Sequence, residues 1–290
     1  MTPCPSFTDS RPLLGDAAAL RERAHADGYL FVTGLVPRDA VDALAGAILR
    51  ICREQGWADS EGHALGEPRL EGHEGWWDVY DPLQRLEAFH ALAHRPEIVG
   101  LVGDLVGEEV LVHPRNIARV TFPGAAHYTT PPHQDYPLIQ GAPDTYTVWL
   151  PLVDCPMELG GLAMLPGSHR VGLLPVHSES GPGGLAVDAE GLGLTWHMQD
   201  MRAGDALIFH SHTVHRALPN VSERDLRISA DYRYQGASRP VVEDSLLPHY
   251  LRLSWDDIYA GWSAGGPRYY WRAFPLNVVA RDAAIMQPAR

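Results

Sequence analysis

From about Glu109 the chain becomes a series of short β-prone runs separated by proline and glycine, and this punctuation limits the possible folds more than any other feature. Candidate strands fall at residues 110–113, 118–122, 145–150, 162–165, 194–197, 206–210 and 226–234. Turn signals stand between them at Pro123-Gly124, Gly160-Gly161, Pro166-Gly167 and Gly204-Asp205. Many short strands with such spacing predict a sandwich or jelly-roll barrel. The part before them reads helical. Asp16 to His25 is rich in alanine, leucine and arginine and stops at Asp27-Gly28. Tyr29 to Val32 is short and β-prone, and Pro37 opens a second helix with Val41, Leu44, Ile48 and either Ile51 or Cys52 at roughly helical spacing. A third helical stretch is expected over residues 82–102, with a break near Pro96. Residues 171–193 carry many glycines and read as a loop, either over a pocket or on the surface. The segment from residue 241 holds Trp255, Tyr259, Trp262, Tyr269 and Trp271, too aromatic for a disordered tail, and is expected to pack back on the barrel. The expectation is an α+β chain forming one domain over residues 1–290. Its helical part spans about 12–105, its barrel about 109–235, and its aromatic segment 241–290.

Composition narrows the function. With 45% hydrophobic and 20% charged residues in 290, the chain can bury a sizeable core, and no apolar run approaches the roughly 20 residues that span a bilayer. The first residues lack a basic stretch followed by an apolar core, and Cys4, Cys52 and Cys155 are too scattered for a disulfide framework. A cytoplasmic location is therefore expected. A net charge of −13 argues against nucleic-acid or membrane partners and leaves a small molecule as the expected one. All 23 basic residues are arginine, which excludes Schiff-base chemistry on lysine and a phosphate-loop lysine.

The chemistry centres on His133-Gln134-Asp135. In extended backbone, side chains two apart point the same way, so an imidazole and a carboxylate could meet one metal ion. A histidine from a distant strand would complete a face of two histidines and one carboxylate with open positions. His210, His212 and His215 compete for that place, and His-x-Asp alone arises often by chance.

The context carries more weight. After His133 come, in order, Thr145 to Leu152, the run from Gly160-Gly161 to Pro166-Gly167-Ser168-His169-Arg170, then Gly204-Asp205 through Phe209-His210, and His215. This series resembles the phytanoyl-CoA dioxygenase family of iron and 2-oxoglutarate enzymes over about residues 12–235. The resemblance implies a double-stranded β-helix (a cupin-like jelly-roll) with His133, Asp135 and His215 as iron(II) ligands. It implies 2-oxoglutarate as cosubstrate, dioxygen as oxidant, and Arg227, twelve residues after His215, as the anchor for the far carboxylate. Thr147 and Trp149 match pocket-lining positions, Arg224 is the fallback anchor, and Arg115, Asn116 and Arg119 could meet cosubstrate or substrate. A lysine that some members direct at the cosubstrate is absent. Related halogenases replace the carboxylate by a small residue, so Asp135 implies hydroxylation or another oxidation. The implied substrate is a small, partly apolar organic molecule, such as a natural-product intermediate. Two other readings compete. One is a cupin-like metalloenzyme that does not use 2-oxoglutarate, favoured only by His210-x-His212. The other is a non-catalytic barrel that binds a small molecule.

Overall fold

The computed structural model describes residues 4–287; residues 1–3 and 288–290, the ends of the expected domain, lie outside it. Helix α1 (Ala17–Asp27) starts where the Asp16 carboxylate accepts from the N–H groups of Ala18 and Ala19, and it ends at Gly28 with φ +80°. The N-terminal cap contributes about 1 kcal/mol, and a left-handed residue past a helix end favours glycine. Strand β1 (Tyr29–Val32) and helix α2 (Arg38–Glu54) follow, and α2 buries Val41, Leu44 and Ile48 as their spacing predicts, with Cys52 rather than Ile51 completing the face. The helical stretch expected over 82–102 breaks before Pro96 as expected and once more at Leu86, giving parts of three helices, α3 (Trp77–Gln84), α4 (Glu87–Leu92) and α5 (Pro96–Val106). Leu86 and Arg95 between them are extended, with ψ 112° and 133°. For Arg95 the cause is Pro96, whose ring excludes the helical conformation of the residue before it.

The remaining strands are β2 (Val110–Val112), β3 (Ile117–Thr121), β4 (Tyr146–Pro151), β5 (Leu162–Met164), β6 (Val176–Ser178), β7 (Leu185–Val187), β8 (Ala206–His210), β9 (His215–Ala217), β10 (Arg227–Gly236), β11 (Val241–Val242) and β12 (Val278–Val279). The main sheet runs β1-β8-β4-β10-β2, with β3 also on β10, and every pairing in it is antiparallel. Opposite it lie the pairs β5–β9 and β6–β7, and Leu162, Met164 and Ala217 pack into one cluster with Trp149, Leu207 and Phe209 of the main sheet. This is a jelly-roll barrel with helices on one side, an α+β fold. Two loop and strand expectations change. The strand expected at 194–197 reduces to one bridge between His197 and Met164, and the glycine-rich 171–193 holds the hairpin β6–β7. Strand β9, which carries His215, was not foreseen.

Period-2 alternation divides the main sheet into two chemistries. Val148, Leu150, Ile208, Ile228, Ala230, Tyr232 and Tyr234 pack with the helices in the larger core cluster. Each large apolar side chain so buried contributes about 1.5–3 kcal/mol. The opposite face of β10 presents Arg227, Ser229, Asp231, Arg233 and Gln235 to the barrel interior, and all but Arg233 are buried. Burying charge is costly unless partners are supplied, so this polar stripe serves something other than stability. The aromatic segment packs as expected: Trp255, Tyr259, Trp262 and Trp271 form a cluster with Leu111 and Val241.

Candidate active site

His133 and His215 sit directly across from each other. Each donates its backbone N–H to the other's carbonyl, at 2.9 and 3.0 Å, and their ring centroids are 4.1 Å apart. Asp135 departs from the extended geometry expected of it: its φ and ψ are −72° and −28°, and it precedes the short helix α6 (Tyr136–Ile139). The carboxylate nevertheless reaches the same point, with Oδ1 3.5 Å from His133 Nε2 and 3.8 Å from His215 Nε2. Gln134, which sequence reasoning passed over, fixes this turn. Its amide nitrogen donates to the carbonyls of Gly172 and His212, and its oxygen accepts from the Leu174 N–H.

The hydrogen-bond shell determines which ring nitrogens face the centre. His133 Nδ1 lies 2.8 Å from the Pro131 carbonyl, and His215 Nδ1 lies 3.0 Å from the Thr213 carbonyl. A carbonyl oxygen only accepts, so each Nδ1 carries the proton and each Nε2 offers a lone pair inward. Burial, followed by the charge of His133, pushes the His215 pKa down to about 3, so it stays neutral. Burial alone would raise the Asp135 carboxyl, but Arg233, His133 and His215 outweigh it and hold it well below the usual carboxylate range. The Thr147 hydroxyl donates to Asp135 Oδ2 at 2.5 Å, and Arg233 Nη2 lies 3.7 Å from the same oxygen. Two imidazoles presenting Nε2 and one carboxylate, ligand atoms all within 4.8 Å, fit a divalent transition metal with open positions. His210 and His212 do not join them; His210 packs against the rings of His169 and His212, and neither lines the cleft at His133.

That cleft is lined by His133, Asp135, Thr147, Trp149, His215 and Arg227 among others. Arg227 is buried, with Nη1 donating to the Gly160 carbonyl and Nη2 to Thr121 Oγ1 at 2.9 Å. Among the described residues no carboxylate lies within ion-pair distance of it, and its Nε has no partner. Burial depresses its pKa. The Trp149 Nε1–H and Ser229 hydroxyl are likewise buried and unpartnered. A cleft holding an unpaired guanidinium and idle polar groups fits a small dianion such as 2-oxoglutarate. Arg224 is exposed in a turn, and Asn116 is buried toward the helices, bonded to His90, so neither reaches the cleft. Arg119 lines it but is engaged by Glu71 and Asp231 at 2.7 and 3.2 Å.

A jelly-roll barrel with this donor set matches the non-haem iron oxygenases that leave one metal face open. The sequence profile of the family Phytanoyl-CoA dioxygenase (PhyH) matches residues 24–229. The chain belongs to that family and is an iron- and 2-oxoglutarate-dependent oxidoreductase. It is 30% identical over 262 residues to 1-deoxypentalenic acid 11-beta-hydroxylase of Streptomyces arenae, covering 83% of this chain and 89% of that one. The enzyme of the same name from Streptomyces exfoliatus is 29% identical over 256 residues, with the same coverage. Among solved structures, the epimerase SnoN in complex with Fe3+, alpha ketoglutarate and nogalamycin RO has the same fold. It gives a TM-score of 0.56 at 24% identity, over 78% of this chain and 85% of that one. Among the described residues, no helix is long and apolar enough to cross a membrane.

Proposed function

We propose that this protein hydroxylates, or otherwise oxidises, a small and partly apolar organic molecule at a ferrous ion held by His133, Asp135 and His215. One observation carries the reading: both Nδ1 atoms are occupied by backbone carbonyls, so both Nε2 lone pairs converge on Asp135 Oδ1. Bound iron(II), 2-oxoglutarate and dioxygen together supply a two-electron oxidation coupled to decarboxylation of the cosubstrate to succinate. The chain's own residues do the positioning. Arg227 holds the far carboxylate of 2-oxoglutarate through paired, charge-assisted hydrogen bonds, which also relieves its unpaired charge. Trp149 walls the cleft and offers its idle Nε1–H, and Thr147 orients the Asp135 carboxylate through the 2.5 Å hydrogen bond. Phe209 and Leu162 line the same cleft and exclude water from it. The hydroxylase relatives support a hydroxylation outcome. The helices, barrel and aromatic segment act as one domain in this reading, because one cavity takes Glu71, His133 and Arg281 from all three.

The test is an oxygen-free titration of the protein with iron(II) and 2-oxoglutarate. A weak visible absorption of the iron(II)–2-oxo-acid chelate is expected at one equivalent, followed by succinate release on admitting air. Metal binding without that absorption would favour a cupin-like enzyme that does not use 2-oxoglutarate. Thr147→Val keeps the shape and removes the hydroxyl, so iron affinity should fall by about 10–100-fold in a chelator competition. An unchanged affinity would remove Thr147 from the metal site's support.

A further inference from the structure

Beside the metal triad lies a second, wider cavity of about 430 Å³, to which His133 and Asp135 contribute its inner end. Its size suits an organic molecule larger than the cosubstrate. Ile117, Leu138 and Ile139 give it an apolar side. Its charges do not balance. Arg281 is paired with Asp244 at 2.9 Å, and Arg119 with Glu71 and Asp231 at 2.7 and 3.2 Å. Arg115 has no carboxylate within 4.0 Å among the described residues, and its Nη1 donates only to the Asp244 backbone carbonyl at 3.0 Å. Arg233 has one carboxylate near it, Asp135 at 3.7 Å, which the metal would claim, and its Nε has no partner. Arg115 and Arg233 both line this cavity. Two uncompensated guanidiniums in one partly buried cavity repel each other and lose hydration, at a cost that an incoming anion removes.

We infer that the substrate carries a carboxylate, gripped between Arg115 and Arg233, with its apolar body against Ile117, Leu138 and Ile139. The planar fork of a guanidinium matches the two oxygens of a carboxylate, so charge and geometry point to the same group. Anchoring the acid on this wall presents the carbon skeleton to the inner end of the cavity, where His133 and Asp135 stand. The inference rests on the triad being the oxidising centre, and it assigns Arg115 a role separate from Arg227.

The experiment is anaerobic calorimetry on the iron(II)–2-oxoglutarate holoenzyme. The probes are cyclohexane-, decalin- and adamantane-carboxylate, each beside its methyl ester and its primary alcohol. At least one acid is expected to bind about tenfold or more tighter than both neutral partners. Arg115→Gln should erase that preference, and Arg115→Lys, which keeps the charge but not the planar fork, should retain only part of it. Equal binding of acids and esters, no binding by any acid, or a preference that survives Arg115→Gln would overturn the inference. So would loss of 2-oxoglutarate binding in Arg115→Gln, which would give that guanidinium to the cosubstrate. The chelate absorption is recorded before each titration. If it is missing in the unmodified protein, the oxygenase reading itself has failed, which is a different result.

Discussion

Asp135→Ala is expected to abolish stoichiometric iron(II) binding and to lower succinate formation by well over a hundredfold. The lower bound follows from magnitudes. Removing a group that only supports a metal ligand costs about 10–100-fold, and Asp135 is placed here as a ligand itself. Its loss also strands its neighbours. The Thr147 hydroxyl loses its acceptor, and Arg233 loses the one carboxylate near it. A partly buried cation left without its counter-charge is destabilising, so the alanine variant should also melt earlier than the unmodified apo-protein. Asp135→Asn separates the two effects, because an amide still accepts from Thr147 while lacking the charge that holds a divalent ion. Iron titration with absorption and a thermal melt on both variants give the answer. An alanine variant that binds one iron and develops the unmodified chelate absorption would end the assignment of Asp135 as a ligand.

Much of this site is legible in the sequence for a physical reason. Alternation along a strand reports which side chains share a face without knowledge of strand partners. Residues 206–210 form a strand as expected, and β10 divides into Ile228 and Ala230 toward the helices and Arg227, Ser229, Asp231 and Arg233 toward the interior. The same rule misleads at Asp135. Extended backbone would bring it beside His133, but its backbone is helical, and the convergence depends on Gln134 tying the turn to residues 172, 174 and 212. Such a brace has no periodic signature. Strand β9 is three residues long, too short for alternation to register, and its place is set by pairing with β5 and by the bridge to His133. The arginine-lined cavity was only half legible, for another reason. Arg115 and Arg119 stand four residues apart and read as possible ligand contacts, but Arg233 and Arg281 come from segments far along the chain, so no local cluster of basic residues announces the cavity.

Arg227→Met is expected to retain iron while weakening 2-oxoglutarate about 30-fold or more. The guanidinium is buried with no carboxylate near it among the described residues, so its favourable ion partner has to come with the ligand. Truncating one partner of a buried charged pair costs about 2–5 kcal/mol of binding, and each 1.4 kcal/mol is a factor of ten. Stability of the free protein should respond far less. Methionine fills a similar length, and removing an unpaired buried charge recovers a desolvation penalty of several kcal/mol. Against this, the Gly160 carbonyl and the Thr121 hydroxyl each lose a donor, at about 1–3 kcal/mol apiece. These terms oppose and nearly cancel, whereas nothing offsets the lost contact to the cosubstrate. The two effects separate in a melt with and without 2-oxoglutarate. At about one hundred times its dissociation constant the ligand should stabilise the unmodified iron-loaded protein by about 2.7 kcal/mol, and at the same concentration it should stabilise the variant by about 0.9 kcal/mol or less. If the ligand-induced shift survives in Arg227→Met, the far carboxylate is held elsewhere, and the unpaired guanidinium needs a different anion to explain it.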